Sequence, residues 1–161
     1  MIEATNDARK IGQALAWIVS LLNRHHIPYQ VVGGLAAKAY GATRPLVDID
    51  VYAPLDQAAL EEMRPYIIRE LLPHRSDSWD LVYMALDYNG MYMEIGDTST
   101  VPRFYNRRDQ RWEDQIIDYA SSHVMTLYGI EAAVMPKDEL LRYKAMLDRD
   151  VDHQDIEEIA H

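Results

Sequence analysis

The 161-residue sequence has no cysteine. Disulfides, thiolate metal sites and cysteine nucleophiles are excluded together. Phenylalanine occurs once, against 11 tyrosines and 8 methionines, a composition that suits a core with polar-rimmed pockets but names no ligand. Positive charge is scarce: 16 basic side chains stand against 26 acidic ones, for a formal net charge of −10. A duplex-binding protein usually presents a basic face, because its affinity comes largely from displacing phosphate counterions. Broad nucleic-acid binding is therefore disfavoured. No apolar run is long enough to span a bilayer, and Met1 to Lys10 is polar without the apolar core of a signal peptide. These absences predict a soluble, cytoplasmic protein with no membrane partner.

Hydrophobic residues make up 48% of the chain, and no low-complexity tract or linker divides it. This reads as one domain over residues 1–161, with a core of about 27–135 and a C-terminal helical segment over 136–161. Ala8, Ile11, Leu15, Ile18 and Leu22 recur at helical steps, widened by Ala14 and Val19. They predict an amphipathic helix over 5–25, capped by Asn6 or Asp7. Tyr29 to Val32 reads as a short strand and Leu35 to Tyr40 as a short helix closed by Gly41. Val47 to Tyr52 alternates apolar and acidic residues, the period of a strand.

Further along, Asp56 to Leu72 has a helical pattern capped by Asp56 and interrupted by Pro65. Trp79 to Asp87 and Met91 to Ile95 flank Asn89-Gly90, a strong two-residue hairpin signal. Asp97 to Trp112 is polar and Arg-rich and reads as a loop. Weaker strands are expected at Ile116 to Tyr119, Val124 to Tyr128 and Ala132 to Met135. Helices follow over Lys137 to Leu147, behind Pro136, and near Asp152 to Ile159. The fold class is α+β, with a mixed sheet flanked by helices.

On the strand over 47–52, Asp48 and Asp50 project to one face while Val47, Ile49 and Val51 take the other. Adjacent carboxylates repel unless a cation lies between them, and a hard divalent ion is the usual solution. Standing alone, such a pair is more often merely solvent-facing. The context shifts that balance. Gly33-Gly34 lies between a strand and a helix, where bare backbone amides and a positive helix end approach phosphate. Arg44, in the following turn, is placed to meet an anionic ligand or one of the acids. Serine-hydrolase and zinc-protease spacings are absent, and Tyr52 stands where a calcium loop would need its next ligand.

Val32-Gly33-Gly34, thirteen residues, and then Asp48-Ile49-Asp50-Val51 resemble the DNA polymerase β-like nucleotidyltransferase superfamily. The longer string VVGGLAAKAYGATRPLVDIDVY is similar to its small bacterial members, with matches at Tyr40-Gly41 and Arg44. The resemblance implies that fold and a third carboxylate on a neighbouring strand. Glu94 is the best match, alternating against Met91, Met93 and Ile95, with Asp97, Asp80 and Asp87 as rivals. Many relatives carry Asp at this position.

The implied reaction moves a nucleoside monophosphate from an NTP to a hydroxyl acceptor and releases pyrophosphate. Asp48, Asp50 and Glu94 are the implied catalytic and metal-ligating residues for Mg²⁺ or Mn²⁺, and Gly33, Gly34 and Arg44 the implied nucleotide grip. The acceptor class stays open between a small molecule such as an antibiotic, a protein side chain and an RNA end, and the acidic balance favours the first two. A non-catalytic nucleotide-binding or toxin–antitoxin-type interaction protein is the alternative, and a nucleotide hydrolase a third.

The segments Pro136 to Lys144 and Arg149 to Ile156 resemble the tail of small nucleotidyltransferase-like proteins. Lys144 shares the apolar face of Leu140, Leu141 and Leu147, so it either snorkels past the core or points at a nucleotide phosphate. Asp152 and Asp155 read as a helix cap rather than as ligands. Arg103, Arg107, Arg108 and Arg111 cluster near Tyr105 and Trp112, but the interspersed Asp109 and Glu113 favour a solvated loop over a phosphate or RNA grip.

Overall fold

The structure, a computed structural model, describes residues 2–160, with side chains from residue 7 onward. Its first helix, α1 (Ile2–Arg24), buries the stripe set by Ile11, Ala14, Leu15, Ile18, Val19 and Leu22. Asn6 and Asp7 lie inside the helix instead of capping it. No glycine or proline interrupts the turns before them, so the helix runs on toward the N-terminus.

A mixed sheet carries everything else. Its strands are β1 (Gln30–Val32), β2 (Ile49–Ala53), β3 (Ile67–Arg75), β4 (Trp79–Tyr88), β5 (Met91–Asp97), β6 (Arg103–Asn106), β7 (Arg111–Asp114), β8 (His123–Leu127) and β9 (Ile130–Val134). They are ordered β7-β6-β4-β5-β2-β1-β9-β8, and β3 also pairs with β4. The centre is β1–β2 antiparallel and β2–β5 parallel. The fold is thus α+β with a mixed sheet, as its sequence pattern predicts.

The remaining helices are α2 (Gly33–Ala39), α3 (Gln57–Met63), α4 (Lys137–Leu147) and α5 (Asp150–Ile159). Gly41, at φ +114°, closes α2 in a conformation that disfavours other residues. Asp56 caps α3, its carboxylate accepting from the Ala59 amide at 2.9 Å. Among the described residues, no helix is long and apolar enough to cross a membrane.

Four expectations change. The helix expected to run to Leu72 stops at Met63, and a short 3₁₀ turn containing Pro65 delivers the chain into β3. Proline lacks the amide an α-helix needs there, and an exposed edge strand shows little hydrophobic alternation. The Arg-rich loop contains the β6–β7 hairpin. Ile116 to Tyr119 forms no strand, and Ile116 is largely exposed. Val47 precedes β2 and is 77% exposed, while Ile49 and Val51 are buried as expected.

Candidate active site

The sheet register brings the acidic residues together. Val32 pairs with Asp50, Asp50 with Glu94, Glu94 with Ala85, and Ala85 with Arg69. Paired residues present their side chains to one face, so this row crosses the sheet from β1 to β3. Asp48, two residues before Asp50, reaches the same place from the approach to β2. A carboxylate oxygen from each of Asp48, Asp50 and Glu94 lies within 4.8 Å of the others, and all three residues are half-buried. The rivals are occupied elsewhere. Asp97 accepts the Leu55 and Ser99 amides, Asp87 accepts the Gly90 amide in its hairpin turn, and Asp80 faces Arg75 and Arg103 in strand register.

Three like charges in one place are electrostatically uncomfortable. Burial, and then the charge of Asp48, pushes Glu94 up to about 7. Burial followed by repulsion from Asp48 and Glu94 holds Asp50 well above the usual carboxylate range. Asp48 is raised by burial, although hydrogen bonding with Glu94 and Asp50 opposes the shift. An all-oxygen donor set of this kind fits a hard divalent ion, which would relieve the repulsion.

The glycines shape the same place. Gly33 sits at φ +64°, and a Cβ there would lie 2.6 Å from Oδ2 of Asp50. A Cβ on Gly34 would meet Nη2 of Arg44 at 3.3 Å. One row away, Tyr52 pairs with Gly96, where a Cβ would be 2.6 Å from the tyrosine ring. A cavity of about 450 Å³ opens over the acids and both glycines of the Gly33-Gly34 pair, with Tyr83, Trp79 and Tyr143 on its walls.

This architecture recurs in solved structures. A candidate nucleotidyltransferase from Thermotoga maritima superposes with a TM-score of 0.69 at 16% identity, over 90% of this chain and 89% of that one. The lincosamide antibiotic adenylyltransferase LnuA, solved with lincomycin bound, gives 0.59 at 15% identity, over 92% and 95%. The antibiotic-resistance factor ANT(2'')-Ia gives 0.54 at 17% identity, over 92% and 80%. The chain has a nucleotidyltransferase fold. No protein-family model matches it, and no curated protein matches it by sequence.

Arg44 lines the cavity and pairs with Asp155, through Nε at 2.8 Å and Nη2 at 2.9 Å. Lys144 neither snorkels nor stands alone in the cleft. It is 2% exposed, with Nζ 2.9 Å from Asp155 and 3.3 Å from Asp152. Asp152 does accept the Arg149 amide at 3.1 Å as a cap, but it also takes Nε and Nη2 of Arg149 at 2.7 and 3.0 Å. Among the described residues, no backbone amide donates to Asp155, whose partners are Arg44 and Lys144. Burial alone would raise its pKa, yet hydrogen bonds from Arg44 and Lys144 bring it below the ordinary value.

Two of the four clustered arginines are paired with carboxylates of their own hairpin. Arg103 pairs with Asp114, and Arg111 with Glu113 and Asp109. Arg107 donates to the Leu147 carbonyl at 2.7 Å and the Ser78 hydroxyl at 3.0 Å, tying β6 to α4.

Sequence reasoning missed Arg149, Asp155, Arg69 and the Tyr52–Tyr143–Trp79 group. Arg69 stacks over Tyr83, 4.4 Å from the ring centroid, and its charge acts on Glu94 across the small Ala85. Tyr143 takes a 2.6 Å hydrogen bond from the Trp79 indole and bonds to Tyr52. The Arg149 to Asp152 spacing was a legible signal, a pair three apart on a helix. The partners of Arg44 and Tyr52 had none.

Proposed function

We propose that the chain is a metal-dependent nucleotidyltransferase that moves a nucleoside monophosphate from an NTP to a hydroxyl acceptor. The observation that carries this reading is the meeting of Asp48, Asp50 and Glu94 beneath a cavity whose rim is the bare Gly33-Gly34 backbone. Asp48, Asp50 and Glu94 would hold Mg²⁺ or Mn²⁺, which when bound supplies charge stabilisation to the phosphates in an in-line displacement. Gly33 and Gly34 keep side chains out of the phosphate path, and Arg44 offers a guanidinium edge beside them. The acceptor oxygen forms a bond to the α-phosphorus, the bond to the β-phosphate oxygen breaks, and pyrophosphate leaves. Glu94 would accept the acceptor's proton. The antibiotic adenylyltransferases among the structural neighbours support this reaction class for the fold, without fixing the acceptor here.

Pyrophosphate release tests the reading. With an NTP, Mg²⁺ or Mn²⁺ and a cell extract as acceptor source, the chain releases pyrophosphate, and Asp48→Asn does not. Nucleotide binding without release would support a regulatory protein instead. Release that is unchanged when the extract is omitted would identify water as the acceptor, and so a hydrolase.

A further inference from the structure

The C-terminal helix α5 carries two buried acids that lie outside the one candidate metal cluster found among the described residues. Asp152 and Asp155 are both 0% exposed and lie three residues apart. Each grips one arginine by the same edge. Asp155 takes Nε and Nη2 of Arg44, and Asp152 takes Nε and Nη2 of Arg149. Lys144 of α4 lies between them and pairs with both. Arg44, Lys144 and Arg149 all line the cavity over the acidic triad.

Two physical facts make this arrangement informative. First, a buried ion network is a poor way to stabilise a fold, because desolvation cancels most of the attraction, and packed apolar residues do as well or better. Second, the grip is one-sided. Among the described residues, no hydrogen bond takes Nη1 of either arginine. The end of the Arg44 guanidinium lies against Gly34, where a Cβ would stand 3.3 Å from Nη2, the atom that bonds Asp155, and 3.6 Å from Nη1. Arg149 is also fixed in plane by stacking on Trp79, 4.6 Å from the ring centroid, and its charge reaches Asp50. Three cations against two carboxylates leave one net positive charge on this wall of the cavity. A guanidinium locked along one edge presents the other to an oxyanion with little ordering left to do.

We infer that Asp155 and Asp152 are positioning residues which hold Arg44 and Arg149 as a preset, two-guanidinium wall for the nucleotide's polyphosphate. The inference rests on the proposed function and deepens it. Arg149 becomes a second phosphate-binding residue, and α5 becomes part of the nucleotide site. Lys144 bridges the two carboxylates, offsets their repulsion and keeps them at fixed spacing.

The test is a set of titrations with an NTP and Mg²⁺ by calorimetry, alongside Mn²⁺ titrations without nucleotide. Asp155→Asn weakens NTP binding about tenfold or more, since a misaligned binding group loses most of its benefit, while Mn²⁺ affinity stays unchanged. Arg44→Lys keeps the charge but loses the two-point grip, and gives a similar loss. The double variant is no worse than either single, the non-additivity expected of one coupled unit. If Asp155→Asn fails to fold, Arg149→Gln, at the more open end of the network, tests the same wall and again lowers NTP affinity, while Mn²⁺ affinity does not fall, because the lost cation had opposed a second cation near Asp50. Unchanged NTP affinity in folded Asp155→Asn or Arg149→Gln overturns this inference alone. Failure of the unaltered chain to bind any NTP overturns the proposed function with it.

Discussion

Asp50 and Glu94 stand directly opposite each other across the parallel β2–β5 pair, so the sheet itself forces two carboxylates into one place. Glu94 is raised to about 7 there, against an ordinary value of 4.5. The folded chain therefore holds a proton on Glu94 that the unfolded chain has already lost. Between about pH 4.5 and 7 the metal-free fold binds more protons than the unfolded chain, so its stability falls as pH rises through that window. Glu94→Gln removes this contribution. In chelator, the difference in melting temperature between Glu94→Gln and the unaltered chain grows in favour of the variant from pH 5 to pH 8. Added Mg²⁺ or Mn²⁺ stabilises the unaltered chain at pH 8 and leaves the variant nearly unmoved. Scanning calorimetry at paired pH values checks both outcomes.

Gly33 and Gly41 separate backbone strain from site geometry. Both lie at positive φ, but only Gly33 would drive a Cβ into Asp50, whereas nothing lies within 4 Å of a Cβ at Gly41. Alanine at either costs roughly 1–2 kcal/mol of left-handed strain, or roughly 2–8 °C in melting temperature. Only Gly33→Ala also moves a carboxylate, and it lowers Mn²⁺ affinity about tenfold, as disturbed support of a metal ligand typically does. Gly41→Ala binds Mn²⁺ normally. Thermal melts and Mn²⁺ titrations by electron paramagnetic resonance distinguish the two.

The arginine hairpin supplies a negative prediction. Arg111 is mostly exposed and shared between Glu113 and Asp109, so it has little charge left to offer a phosphate. Arg111→Ala changes NTP affinity less than about twofold and melting temperature by no more than about 2 °C, the usual range for a surface pair. A tenfold loss of NTP affinity would return this hairpin to the binding site.

Local rules carried much of the fold. Asn89 and Gly90 both take positive φ, the demand that makes Asn-Gly a hairpin signal. The apolar spacing of α4 and its leading Pro136 gave that helix its observed bounds. β3 was hidden because its outer residues, such as Ile68 and Leu72, remain exposed, leaving no clean alternation to read. β6 and β7 were hidden because two short polar strands look like a loop. In the site, Asp48, Asp50 and the glycines lie within one short stretch of sequence, so the pattern was visible there. The Arg44 to Asp155 clamp joins residues 111 apart, and only the tertiary fold brings α5 against the β1–β2 region.

The most direct measurement follows the label from two NTPs that differ only in which phosphate is radioactive. With Mg²⁺ or Mn²⁺ and a cell extract, the account predicts that α-phosphate label passes to an acceptor and γ-phosphate label leaves as pyrophosphate. Both movements are lost in Asp48→Asn/Asp50→Asn. Transfer of γ label to the acceptor, or α-label transfer that survives loss of both aspartates, would contradict it.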